Sequence, residues 1–156
     1  MVNIQRINAE HPLYPSQRAL REAVILRPLG LDFAAYERAL PGVEQQLEHF
    51  IALFDHPLGL CIVGTASLLV ENGGRGRLMQ MAVDPQRQGE GIGRRLVVAV
   101  ESRAFGELGV SLLYCHAHLG AVPFYQALGW HPDGQPFDEA GIAHIRMVLP
   151  APPRVE

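Results

Sequence analysis

The stretch MQMAVDPQRQGEGIGRRLV, residues 79–97, decides how the rest of the chain is read. It opens inside an apolar run, Arg77 to Val83, that suits a strand, and Asp84 and Pro85 end that run. Gly89, Gly91 and Gly93 follow before helical spacing begins at Arg94. A strand that turns through glycines into a helix leaves unpaired backbone N–H groups at the positive end of the helix dipole. With no Cβ on those glycines, an anion can come close to the main chain, and a diphosphate is the natural ligand. The same residues also suit an ordinary strand-to-helix turn whose glycines only relieve crowding.

Two other phosphate loops fit poorly. A Walker A loop needs a lysine before its Ser or Thr, and all thirteen basic residues here are arginine. The dinucleotide fingerprint GxGxxG, counted from Gly89, meets Arg94 where its third glycine should stand. Any side-chain contact to phosphate must therefore come from arginine or a neutral donor.

Outward from this stretch the elements alternate in kind. Upstream, Val2 to Ile7 alternates like an edge strand, and Ser16 to Leu26 reads as a helix with Leu20, Ala23 and Val24 on its apolar side. Pro28 and Gly30 end that helix, and Asp32 to Pro41 suits another helical turn or two. His49 to Phe54 and Leu60 to Val70 form a hairpin pattern, and Asn72-Gly73-Gly74 turns the chain into the strand that ends at Val83. Downstream, Arg94 to Leu108 is amphipathic, with Leu96, Val97, Val100, Ala104 and Leu108 on one side. Gly109 stops it, Val110 to Cys115 reads as a strand, Ala121 to Leu128 as a short helix, and Ile142 to Leu149 as a closing strand. This order predicts a mixed α/β sheet with one crossover helix.

Composition narrows the function. A chain of 156 residues, 48% hydrophobic and 19% charged, fits one globular domain. A net charge of −3 argues against nucleic acid as a partner. No apolar run is long enough for a bilayer and the N-terminus has no signal core, so a cytoplasmic protein with no membrane partner is expected. Cys61 and Cys115 have no CxxC spacing and read as buried free thiols. His116 and His118 share a strand face, yet no third ligand has convincing spacing, so no metal is expected.

Residues 79–97 resemble motif A of the GNAT superfamily of N-acetyltransferases: a strand, V-x-P, Q/R-x-x-G-x-G/A, then a helix. The matching positions are Val83-Asp84-Pro85 and Gln88-Gly89-Glu90-Gly91-Ile92-Gly93. Leu113 to Trp130, LYCHAHLGAVPFYQALGW, resembles motif B, whose FYxxxGF falls on Phe124, Tyr125, Gly129 and Trp130. Phe137 to Met147 (FDEAGIAHIRM) and Leu20 to Gly30 (LREAVILRPLG) resemble the ending and first helix of the ElaA-like branch. The resemblance implies a mixed, mostly antiparallel twisted sheet of six to seven strands with about four helices. Residues 1–150 would be a single acetyltransferase domain, followed by a proline-rich tail at 151–156.

The implied activity is transfer of an acetyl group from acetyl-CoA to an amine of a small molecule or peptide by direct attack. A non-catalytic acyl-CoA binding or sensing domain on the same scaffold is the alternative. Acetyl-CoA is then a co-substrate, and a homodimer is a fair expectation for assembly. By resemblance, the strand before the loop is bulged and splayed, so Met81, Ala82 and Val83 present backbone groups to the pantetheine arm. Gln88, Gly89, Glu90, Gly91, Ile92, Gly93 and Arg94 surround the pyrophosphate, and His118 and Tyr125 also meet the cofactor. Tyr125 is the implied acid for the leaving thiol, and the Val83 N–H a donor to the oxyanion. Taken without the resemblance, Met79, Met81 and Tyr125 are ordinary packing residues. His118 stands where the family has asparagine. Glu90 stands where a basic or neutral residue is usual, so its side chain is expected to face solvent. The general base stays open between Glu22, His116, His118, His144 and water.

Overall fold

The computed structural model describes residues 1–153; residues 154–156 of the expected proline-rich tail lie outside the described residues. Seven strands build the sheet: β1 (Val2–Ile7), β2 (Glu48–His56), β3 (Gly59–Glu71), β4 (Arg75–Val83), β5 (Leu112–His118), β6 (His131–Glu139) and β7 (Ile142–Pro150). Their order is β1-β2-β3-β4-β5-β7-β6. All neighbours are antiparallel except β4 and β5, which run parallel. Four α-helices accompany them among the described residues: α1 (Tyr14–Arg21), α2 (Phe33–Ala39), α3 (Ile92–Glu101) and α4 (Val122–Ala127).

The parallel pair forces the crossover, and α3 supplies it. It covers one face of the sheet, where Leu96, Val97, Val100 and Ala104 pack with Phe50, Ala52, Leu68, Leu78 and Leu113. The expected apolar stripe is thus the buried one. Gly64 of β3 lets the helix come close, since a Cβ there would stand 2.9 Å from Ile92 Cγ2. On the opposite face, Ile51 and Leu53 of β2 meet Ile7 and Tyr14. Burial on both faces explains why β2 and β3 read as continuous apolar runs rather than alternating ones.

Several boundaries and faces differ from the sequence reading. α1 continues through a wider turn, Glu22–Leu26, and a tighter one, Arg27–Leu29, before Gly30 stops it at φ 72°. Its buried positions are Tyr14, Gln17 and Arg21, whereas Ala23, expected inward, is exposed. A polar stripe faces the sheet there because the sheet offers polar partners. α3 begins two residues before Arg94 and winds on through Ser102–Glu107, and β5 extends to His118. The six to seven strands expected leave room for one beyond Ile142 to Leu149, but the sequence sets no bounds for it, since Pro132, Gly134 and Pro136 break the pattern of β6. It is tolerated because it is an edge strand with a register shift between Asp133 and Phe137. Cys115 is buried as expected, but Cys61 is exposed, being near the far end of the β2–β3 hairpin.

Candidate functional site

The site begins where two strands part. β4 pairs with β5 only through Arg75–Arg77 against Leu112–Tyr114. Beyond that point β5 pairs with β7 alone, so the outer half of β4 has a free edge. A bulge lies in the same half, where the β3–β4 register shifts between Thr65 and Ser67. Gln80, at φ 54°, is the residue that absorbs it. Past the bulge, the Asp84 N–H donates to the Val63 carbonyl at 2.9 Å, toward β3. Strand N–H groups alternate sides, so the Val83 N–H points the other way, into the fork.

The glycine loop follows directly. Asp84 accepts from the Gln86 N–H at 3.0 Å and starts a short helical turn, Pro85–Arg87. Gly89 (φ 86°) and Gly91 (φ 81°) are left-handed with open space where a Cβ would be, and Gly91 caps α3. Their identity is dictated by backbone conformation. Gly93 differs: a Cβ there would lie 3.3 Å from Met81 Cε and 3.4 Å from the Phe124 ring, so it keeps α3 close to β4 and α4. At this terminus Arg94 makes no ion pair among the described residues. Glu90 is exposed, as expected, and is held 3.2 Å from Arg87. Arg87 also lies over the Phe54 ring, at 4.1 Å.

Fork and loop open into one cavity of about 750 Å³. Met81, Ala82, Val83, Gln88, Gly89, Gly91, Ile92, Gly93, Arg94 and His118 all line it. Val24, Ile25, Pro28 and Leu29, from the turns after α1, also line it, as do Arg87, Phe124, Ile142 and His144. Along these walls lie an unpaired strand edge, the unpaired N–H groups of a helix start and two guanidinium groups. An extended chain of amides could pair with the first and an anion could sit on the others.

Two expected site residues, Glu90 and Tyr125, are not on the cavity wall. Tyr125 is only 6% exposed and packs against Phe124 and Trp130. Burial first, then the neighbouring Cys115, pushes its hydroxyl well above the ordinary tyrosine value. Burial likewise raises the Cys115 thiol to about 12, against a hydrogen bond from Tyr125. Cys115 is the first β5 residue beyond the pairing with β4, so Tyr125 sits at the root of the fork.

Among the candidate bases, Glu22 lines a separate surface depression with Arg27 and Arg38. His116 is also away from the cavity, its Nδ1 3.1 Å from Arg77 and 3.0 Å from Glu139. His118 and His144 are cross-strand partners on β5 and β7 and both face the cavity. Among the described residues no three His, Cys, Asp or Glu side chains group as metal ligands would.

Sequence reasoning missed a buried polar cluster beneath the bulge. Arg21 is fully buried and grips Glu44 with two hydrogen bonds, at 2.7 and 2.8 Å. Tyr14 donates to the same carboxylate at 2.7 Å, and His49 Nε2 lies 3.4 Å away. Burial raises the Glu44 pKa, but bonds from Arg21, His49 and Tyr14 outweigh it and hold the carboxyl well below the usual range. Arg21 Nε also donates to Gln80 Oε1 at 3.2 Å, tying the cluster to the bulge. The available signal was Tyr14, Gln17 and Arg21 at helical spacing, a polar stripe no solvent-facing helix needs.

Comparison with known proteins agrees with this architecture. Residues 33–150 match the sequence model of the family described as the acetyltransferase (GNAT) domain. A Bacillus subtilis (strain 168) protein, provisionally named an acetyltransferase, is 25% identical over 94% of this chain and 95% of its own length. Among solved structures, a Lactobacillus plantarum protein provisionally named an N-acetyltransferase is similar with TM-score 0.80 and 24% identity, covering 96% of this chain and 98% of that one. Escherichia coli ElaA is similar with TM-score 0.74 and 19% identity, covering 95% and 99%. An aminoglycoside 6'-N-acetyltransferase, solved with coenzyme A, is similar with TM-score 0.77 and 16% identity, covering 99% of both chains. These structural likenesses show the fold, and the family match covers most of the chain: the protein belongs to the GNAT acetyltransferase family.

Proposed function

We propose that this chain is an N-acetyltransferase that moves the acetyl group of acetyl-CoA to an amine of a small molecule or peptide by direct attack. The observation that carries the reading is the continuity of one cavity from the free β4 edge to the start of α3. Met81, Ala82 and Val83 would pair with the pantetheine amides as an added strand does. The loop from Gln88 to Arg94 would receive the pyrophosphate, with the side chains of Arg87 and Arg94 adding positive charge. Glu90 would contribute only its backbone there, and His118 would border the arm. The family match and the coenzyme A complex of a structural neighbour support this reading.

The reaction needs a neutral amine, a held oxyanion and a proton for sulfur. The amine lone pair forms the C–N bond at the thioester carbonyl, and the Val83 N–H faces the fork where the oxyanion would develop. Collapse breaks the C–S bond and leaves its electron pair on sulfur. Tyr125, kept protonated by burial at the root of the fork, gives that sulfur its proton. Tyr125→Phe should lower kcat by about 100-fold with little change in acetyl-CoA affinity. Unchanged kcat would remove Tyr125 from the mechanism. Its position off the cavity wall favours the second reading, an acyl-CoA sensor. Release of free CoA with an amine panel separates the two, because a sensor binds acetyl-CoA and turns over no amine.

A further inference from the structure

The part of the cavity wall outside the glycine loop and β4 has a chemistry of its own. Val24, Ile25, Pro28 and Leu29 supply one side, and Ile142, 41% exposed, supplies the rim of the other. Among the described residues no Asp or Glu lines the cavity; Glu22 and Asp32 belong to the separate depression. The polar side chains at this end are His118 and His144. His144 Nδ1 lies 2.7 Å from the Ile142 carbonyl, which can only accept, so Nδ1 carries the proton. In the neutral ring the lone pair is then on Nε2, and Glu139 Oε2 stands 3.7 Å from that atom. Phe137 stacks on the ring and holds its plane. The β6–β7 turn that fixes this geometry has left-handed Ala140 (φ 53°) and Gly141 (φ 78°), and Asp138 accepts from the Gly141 N–H at 3.1 Å.

We infer that the acceptor is a monoamine on an apolar body, an alkyl or arylalkyl amine, and that His144 Nε2 takes its proton. This deepens the acetyltransfer reading and rests on it. A polyamine, aminosugar or basic peptide would bring further cations to an end where, among the described residues, the carboxylate at hand is Glu139, already shared by His144, His116 and Arg77, and leaving a charge unpaired there is costly. An apolar body instead buries against the aliphatic wall. The ammonium gives one proton to Nε2 and becomes the nucleophile. Its lone pair forms the amide bond, the C–S pair leaves on sulfur and takes the proton of Tyr125, and the second N–H proton goes to solvent, from which Tyr125 is reprotonated. The proton on Nε2 also passes to solvent, with the Glu139 carboxylate stabilising the imidazolium meanwhile. The titratable and charged groups around the ring are Glu139 from β6 and His118 from β5, while Arg77 and His116 stand behind Glu139.

The test uses the full chain with acetyl-CoA and four acceptors: hexylamine, phenylethylamine, spermidine and a lysine peptide. Coenzyme A binding is measured calorimetrically on the same preparations. Expected is kcat/KM at least tenfold higher for the two apolar monoamines. His144→Gln should lower kcat at least tenfold with coenzyme A affinity unchanged, and should move the acid-side fall of kcat/KM to higher pH, where protonation of the free amine alone sets it. Equal or better turnover of spermidine or the peptide, or coenzyme A binding with no amine acetylated, overturns the acceptor class. A normal pH profile in His144→Gln overturns the role of His144. Absence of coenzyme A binding in the unaltered protein overturns the underlying acetyltransfer reading instead.

Discussion

Gln80 is the residue on which the site geometry turns. It occupies a left-handed backbone conformation that a non-glycine residue adopts only when its surroundings hold it there. The hold comes from Arg21, itself fixed by Glu44, so a fully buried ion pair sets the bulge of β4. Removing one partner of a buried pair leaves an uncompensated charge, and Glu44→Gln should destabilise the fold by roughly 3–5 kcal/mol at neutral pH. Because the folded-state pKa of Glu44 is depressed, its contribution is present above the unfolded-state value of about 4.3 and is lost as pH falls below it. Chemical denaturation between pH 6 and 3 should therefore show a shallower loss of stability in Glu44→Gln than in the unaltered protein. Parallel slopes would mean that other carboxylates govern acid unfolding. Only the polar stripe Tyr14, Gln17 and Arg21 was legible in the sequence; its partners Glu44 and Gln80 stand 23 and 59 residues from Arg21, and each is individually an ordinary surface residue type.

At the scale of elements, the sequence was most informative where a pattern is local. The β2–β3 hairpin, the Gly73-Gly74 turn, the stripe on α3 and the helix stops at Gly30 and Gly109 depend on neighbouring residues and were read correctly. The bounds of β6 escaped because they depend on β7 rather than on its own residues. The inward side of α1 was misjudged for a related reason: apolar spacing pointed to Ala23, while the sheet beneath offered polar partners to Gln17 and Arg21. The glycine loop was legible as a turn into a helix, yet Gly93 proves to serve packing against Met81 and Phe124. Gly64 had no visible role until α3 was in place. Gly64→Ala would push a methyl to within 2.9 Å of Ile92 and 3.0 Å of Leu96. Overpacking of this kind costs about 1–3 kcal/mol, so thermal unfolding should begin measurably earlier. An unchanged Tm would show that α3 can shift away from β3 freely.

For the molecule as a whole, the fork between β4 and β5 makes a sheet that is continuous at its base and divided at its top. The division gives the GNAT scaffold a strand edge, a helix start and a cavity. Tyr125 and Cys115 mark its root, the arginines its outer end and His144 its far wall. The most direct measurement is a calorimetric titration of the folded protein with coenzyme A, with ATP as the control. Saturable binding of one coenzyme A per chain is expected, with much weaker binding of ATP, which lacks the pantetheine arm that the β4 edge would pair with. Failure of coenzyme A to associate, or ATP binding just as tightly, would contradict the binding of coenzyme A at the fork.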